Sequence, residues 1–442
     1  MAPPWVILHR TLHPAKDDNI SVALRELPRV SVLNVPKSVH PDARHADKFP
    51  YLIAAGRLTL LLCFSNMSTD NTGLMMVRQF LPSDKYNNLR RATTTCVAER
   101  IPQRTGSMPV KYDLGSVGLA PTPFGGCLIA ELQVTRRSER AKLLIFTGGR
   151  QWFQHKPLYP MSADERDWAP AGVVAHNGRL WWFDLSWGIL SCDPSVVNPV
   201  LRFHKLPPNR GLGRFEPFIH CIRCISVSDN EVRYAEIGRY PEHGEDKVFV
   251  WTMTWIPASP PKSGPPSKFP PNSEPPTLEW VKSYEMRFSD LWSDITYTTT
   301  PLLVNQIPEI LFVSPRQPNV VYFFLDRFVF GVDVAEHRVL KVVNDDAHAL
   351  FHPTARRCVL PWDLPPSIAN GNHEFGHENS DSAMHHGKQH DTLGFALSFQ
   401  ENVVDHQQQL RKLVTDMRDM QQGLGLTFSK VIKVHSTETV SC

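Results

Sequence analysis

Short apolar runs of four to eight residues, each broken by Gly, Pro, Asn or Asp, recur along most of this chain. "RVSVLNV" (29–35), "TLLLCF" (59–64), "CLIAELQV" (127–134) and "AKLLIFTGG" (141–149) are early examples. "AGVVAHNGRLWWFDLSWGILSCDP" (171–194), "CISVSDNEVRYAEI" (224–237) and "KVFVWTMTW" (247–255) continue the pattern, with "EILFVSP" (309–315) and "VVYFFLDRFVFGVDVAEHRVLKVV" (320–343) after them. Runs rich in Val, Ile, Phe, Tyr and Trp and bounded by turn formers predict strands. "HNGR" at 176–179 sets Asn-Gly between two such runs, and both turn residues tolerate positive φ, so a tight hairpin is expected. "SDNE" at 228–231 does the same with Asp-Asn.

No stretch before about residue 395 keeps a helical period, so the body is read as all-β. A loose unit recurs: apolar strand, polar turn, aromatic strand ending near Asp, then another apolar strand. Spacings of about 45–50 residues are those of four-stranded propeller blades. A single twisted sheet cannot bury both faces, and radial stacking of several does. The fold expected for 1–366 is β-propeller-like, with a tandem β-sandwich as the alternative.

Two segments interrupt the pattern. Residues 257–276, "PASPPKSGPPSKFPPNSEPP", hold nine prolines, which remove amide donors and fix φ, so an extended solvated insertion at a hairpin tip is expected. A ligand for SH3-like domains is the functional alternative there, and a tolerated surface loop the simpler one. Residues 367–395 are Asn-, Gly-, His- and Ser-rich and read as a disordered linker. Beyond it, Val403, His406, Leu410, Leu413, Met417, Met420 and Leu424 step by threes and fours, which predicts a short C-terminal helix over 396–424, followed by a tail, 425–442. Its seam either pairs in a weak homodimer or packs back on the β body.

Charge narrows the partners. The 442 residues carry 47 basic and 44 acidic side chains, a formal net charge of +3, which supports no reading as a nucleic-acid or anionic-membrane binder. The densest basic run, Arg136, Arg137, Arg140 and Lys142, reads as a charged turn before a strand. No segment has the ~20 consecutive apolar residues of a spanning helix, and "MAPPWVILHR" has no cationic lead-in or cleavage site. Eight scattered cysteines fit reduced thiols, so the expected location is cytosolic or nuclear.

The strongest motif for chemistry is "NHEFGHEN" (372–379). It contains His373-Glu374-x-x-His377, the spacing by which one helical face presents two imidazoles to zinc. Gly376 inside the motif costs about 1 kcal/mol of helix relative to Ala, and Ser380 and Ala383 stand where a third-ligand extension needs Gly and His. Five histidines lie within 373–390, so the match is cheap; His373, His377, His385, His386 and His390 remain candidates only for adventitious metal binding, and the zinc-hydrolase reading is the weaker alternative. Cys221-Ile-Arg-Cys224 falls in the strand-like "FIHCIRCISV", where positions three apart diverge, so these are read as core cysteines. Trp181, Trp182, Phe183 and Trp187 are expected to pack between sheets, with a ligand pocket lined by them or a central channel as the small-molecule alternative. No nucleophile elbow, phosphate loop or dinucleotide fingerprint is present.

"GRLWWFDLSWGILSCDPSVVNPVLRFHKLP" (178–207), "IRCISVSDNEVRYAEI" (222–237), "DLWSDITY" (290–297), "VVYFFLDRFVFGVDV" (320–334) and "PWDLPPS" (361–367) together resemble the plant, grass-expanded family catalogued as domain of unknown function 1618. "LPRVSVLNVP" and "FPYLIAAGRLTLLLCF" are similar to its N-terminal region, so the resemblance covers about residues 1–367. It implies a β-rich body like the regions that accompany F-box proteins and like kelch propellers, and no established activity, cofactor or catalytic residue. No F-box helices precede the β region, which weakens an adaptor role in ubiquitin ligation. Asp184, Leu185, Trp187, Gly188, Ile189, Leu190 and Asp193 fall in its signature, where strand-and-turn residues of this kind hold a sheet together. The expectation is a non-catalytic interaction or scaffold protein with unidentified protein partners and without cofactor, metal or catalytic residue.

Overall fold

A computed structural model of the chain describes residues 4–15, 19–36, 51–65, 72–82, 93–105, 108, 114–122, 126–135, 138–149, 151–161, 166–212, 216, 218–239, 245–256, 277–344 and 359–369. The insertion 257–276, all five histidines of 373–390 and the 396–424 segment lie outside the described residues.

In chain order, β1 (Trp5–His9), β2 (His13–Pro14), β3 (Ile20–Ala23) and β4 (Val30–Val35) come first. Five antiparallel meanders follow. Sheet I is β5 (Tyr51–Gly56), β6 (Thr59–Ser65), β7 (Thr72–Pro82) and β8 (Thr93–Arg100); sheet II is β9 (Val117–Pro121), β10 (Cys127–Gln133), β11 (Lys142–Phe146) and β12 (Phe153–His155). Sheet III is β13 (Gly172–His176), β14 (Arg179–Asp184), β15 (Gly188–Cys192) and β16 (Arg202–Lys205). Sheet IV is β17 (Arg223–Ser228), β18 (Glu231–Arg239), β19 (Asp246–Ile256) and β20 (Thr277–Arg287). Sheet V is β21 (Glu309–Val313), β22 (Val320–Leu325), β23 (Phe328–Asp333) and β24 (Arg338–Asn344). The last strand, β25 (Val359–Asp363), returns to pair with β1, giving sheet VI the order β25-β1-β4-β3.

The first strands pack on one another in a closed cycle, β5 on β9, β9 on β13, β13 on β17, β17 on β21, β21 on β25 and β25 on β5. Six apolar clusters fill the six gaps between successive sheets. This is a β-propeller-like ring of six four-stranded sheets. A tandem sandwich would bury one face of each sheet against a single partner; here each sheet is buried on both faces.

Double-sided burial explains the continuous apolar runs. Along β14, Leu180 and Trp182 enter the cluster shared with sheet II, while Trp181 and Phe183 enter the one shared with sheet IV. Along β22, Val321, Phe323 and Leu325 face sheet IV, and Val320, Tyr322 and Phe324 face sheet VI. The turns obey the sequence. Asn177 (φ 48°) and Gly178 (φ 70°) form the β13–β14 hairpin, and Asp229 (φ 49°) and Asn230 (φ 56°) the β17–β18 hairpin, all in the left-handed region.

Closure joins the two ends of the ring. β25 pairs antiparallel with β1 from Trp5↔Asp363 to His9↔Val359, and β1 pairs in parallel with β4. Trp362 Nε1 donates to Gly56 O at 2.9 Å, and Arg10 Nη1 donates to Leu52 O and Ile53 O at 2.9 and 2.7 Å, so sheet VI is clamped to sheet I. The outer strands β3 and β8 also pair, merging both into one nine-stranded sheet. Among the described residues there are four short helices: α1 (Ile219–Ile222), α2 (Phe288–Ser293) and α3 (Ile295–Thr298) in connections between sheets, and α4 (Pro366–Ala369) after β25. No helix among the described residues is long and apolar enough to cross a membrane.

Candidate functional site

In each meander the fourth strand ends on the side where the next first strand begins, so the inter-sheet connections and the second-to-third-strand turns share one face of the ring. At the junction of sheets III and IV that face concentrates ionic groups.

Asp184, at the end of β14, is 2% exposed and holds the β14–β15 turn. Its Oδ1 accepts from Ser186 N (2.9 Å) and Ser186 Oγ (2.6 Å); its Oδ2 accepts from Ala169 N (3.1 Å) and Arg166 Nη2 (3.0 Å). Arg166 also donates to Leu212 O at 2.8 Å and lies 5.2 Å over the Trp187 ring, which packs on Phe203 and Trp168. A Cβ at Gly188 would stand 2.4 Å from the Phe203 ring and 2.6 Å from His204 O, so only glycine admits the β16 backbone this closely. Asp193 Oδ1 accepts from Ser195 N and Oγ at 2.9 and 2.6 Å, closing a side-chain turn. Of the signature residues, Asp184, Trp187, Gly188 and Asp193 are thus engaged in strand and turn contacts.

Trp181, Trp182 and Phe183 are sealed between sheets at 2%, 0% and 3% exposure, so they line no pocket. Trp182 Nε1 donates to Ser116 O at 2.7 Å. Behind Trp181, His204 Nε2 lies 2.8 Å from Ser191 Oγ. Burial, reinforced by the Arg179 and Arg202 guanidiniums, pushes the His204 imidazole down to about 4. It is therefore neutral near pH 7 and satisfies a buried hydroxyl.

Glu236 on β18 is the ionic centre of sheet IV. Its carboxylate pairs with Arg210 Nε at 2.6 Å and Arg223 Nε at 3.3 Å, and accepts from Tyr234 Oη at 2.6 Å. Burial and the neighbouring carboxylate push the Tyr234 phenol well up, so it stays a donor. Arg223 Nη1 reaches Leu185 O and Arg210 O, both at 2.9 Å, linking the sheet III turn to the connection that leads into sheet IV. Beside this network lies a groove of about 200 Å³ lined by Pro208, Asn209, Arg210, Phe249, Trp251 and Lys282.

Sequence reasoning missed these groove residues, although one signal was available. Phe249, Trp251, Met253 and Trp255 alternate along β19, and an aromatic stripe of period two beside the basic "WVKSYEMR" marks a sheet face that meets charge. The CxxC lies differently from its strand reading. Cys221 occupies the α1 helical turn, and its thiol bonds Glu309, whose carboxyl is pushed up chiefly by burial. Only Cys224 is a β17 core residue, at 0% exposure. Burial pushes the Cys63, Cys96 and Cys192 thiols up to about 12, the opposite of nucleophile activation. Among the described residues no group of three His, Cys, Asp or Glu is placed to hold a metal ion. His373, Glu374, His377, His385, His386 and His390 fall outside them.

No curated protein matches the chain. Among solved structures, it is similar to the β-propeller domain of Myceliophteria thermophila Cps50 (Swd1), at 9% identity and a TM-score of 0.23, over 74% of this chain and 90% of that one. The stretch from the second strand of sheet III to the second strand of sheet V, residues 182–322, contains the Asp184 turn, the Glu236 network and the groove, and it matches the model of the family described as protein of unknown function (DUF1618).

Proposed function

We propose that the ring is a non-catalytic interaction platform for protein partners of the cytosol or nucleus. The observation that carries this reading is the apolar surface on the face of the inter-sheet connections. Leu158, Phe218, Ile222, Ile295, Leu303 and Val304 all belong to these connections and are 63%, 50%, 41%, 70%, 52% and 53% exposed. Large apolar residues exposed in these connections are the raw material of an interface, and an aromatic anchor is its commonest hot spot. Phe218 fits that role: its backbone is left-handed (φ 61°), a conformation an aromatic residue rarely adopts, and it holds the half-exposed ring outward. The ionic groups beneath this face are engaged in fixing the loops, which gives the surface a rigid base.

The test is affinity purification with mass spectrometry on wild type and on Phe218→Asp and Leu303→Asp. Reproducible partners retained by wild type and lost from both variants support the platform. Partners indifferent to both substitutions, or a substrate turnover detected in place of partners, overturn it.

A further inference from the structure

The groove at the sheet III–IV junction is built rather than incidental. One wall is the connection Pro208-Asn209-Arg210, turned over by a left-handed Asn209 (φ 65°). The other is the outer pair of sheet IV, where the register slips between Val250 and Trp251 so that Tyr284 and Lys282 take successive partners and Ser283 is bulged out. A bulge re-aims neighbouring side chains, and this one delivers Trp251 and Lys282 to the same groove.

Beside Glu236, which holds Arg210 and Arg223, one carboxylate, Glu285, is shared between two lysines, Lys282 at 2.6 Å and Lys247 at 2.9 Å. Glu285 keeps the better-buried Lys247 if Lys282 turns away, and an exposed ion pair such as Lys282–Glu285 is cheap to exchange. The floor between the cations is aromatic: Arg210 lies 5.3 Å and Lys282 5.9 Å from the Phe249 ring centre, with Trp251 beside them. A volume of about 200 Å³ equals some six or seven waters at ~30 Å³ each, room for one ring and a carboxylate and too little for a nucleotide.

We propose that this groove binds a small aromatic carboxylate, its ring against Trp251 and Pro208 and its carboxylate on Lys282, with Arg210 adding to the field. Such a site acts whether or not the connection face takes a partner.

Calorimetric titration of the full chain with benzoate and phenylacetate tests it, with benzyl alcohol and inorganic phosphate as the apolar-only and anion-only arms. The expected result is saturable binding of an aromatic acid with Kd of about 1 mM, weakened about tenfold by Lys282→Glu and about tenfold again for benzyl alcohol or phosphate. Lys282→Gln replaces the charge-reversed variant if that one melts earlier than wild type, and must weaken binding in the same direction. Absence of saturation by either acid, unchanged affinity in the Lys282 variants, or equal affinity for phosphate or benzyl alcohol overturns the assignment. Loss of partner capture in Phe218→Asp with acid binding intact would separate the two sites.

Discussion

Removing the charge of Glu236 is the sharpest test of how the junction is held. Glu236→Gln keeps the side chain's shape and one acceptor for Tyr234 but removes the carboxylate charge that Arg210 and Arg223, only 16% and 10% exposed, share. Deleting one member of a buried ion pair costs about 3–5 kcal/mol, because the stranded partner loses hydration and gains nothing. Two features place this case at the lower end. Arg223 keeps the carbonyls of Leu185 and Arg210 as acceptors, and Arg210 retains enough exposure to recover some water. The expected loss is about 3 kcal/mol. Arg210→Met should cost less, about 1–2 kcal/mol, since Glu236 still has Arg223 and the Tyr234 hydroxyl. Equilibrium urea unfolding followed by tryptophan fluorescence gives both numbers, read as midpoint shifts at unchanged slope. If Glu236→Gln unfolds within about 0.5 kcal/mol of wild type, the network is a surface ornament rather than the clamp between sheets III and IV.

His204 gives a pH prediction. Its folded-state pKa, about 4, lies below the ordinary 6.5, so its stabilising contribution is complete above pH 6.5 and is lost as pH falls from 6.5 toward 4. At 1.36 kcal/mol per unit the ceiling is roughly 3 kcal/mol; stability curves of wild type and His204→Gln should converge over that window, and parallel curves would reject the effect. Gly188→Ala should destabilise by about 3 kcal/mol, because the new methyl meets the His204 carbonyl, which cannot move without opening the β15–β16 pairing; a melting temperature equal to wild type would refute it. Trp182→Phe should cost about 2–3 kcal/mol in urea midpoints by stranding the Ser116 carbonyl and leaving a void between sheets II and III. Phe218→Gly should leave stability unchanged or raise it by about 1 kcal/mol while abolishing partner capture, since glycine adopts φ 61° freely but offers no ring.

Strand content and turns were legible because they are local. The apolar runs and the Asn-Gly and Asp-Asn hairpins depend on neighbours along the chain, and the structure follows each of them. The two-face burial of Trp181 and Trp182 was readable as well, because an unbroken apolar run needs a partner on either side. The site was less legible. Arg210 and Phe249 are far apart in sequence, and no periodicity says that a connection will fold its guanidinium over a distant aromatic ring. The Cys221 helical turn was hidden inside a strand-like pattern because four residues are too few to show a helical period.

By itself, the sequence determined that this chain makes short β-strands buried on both faces, joined by tight turns. Alternation, β-branching and left-handed turn residues act within a few positions. Only the tertiary structure decided that six sheets close in a ring, that β25 returns to pair with β1, that β3 and β8 weld the first and last sheets together, and that Glu236 holds Arg210 and Arg223, and Glu285 holds Lys282 and Lys247, beside an aromatic groove. Those outcomes depend on contacts between residues at opposite ends of the described chain, Trp5 with Asp363 among them, and the free energy that selects them resides in packing and charge pairing between elements rather than in any stretch of chain.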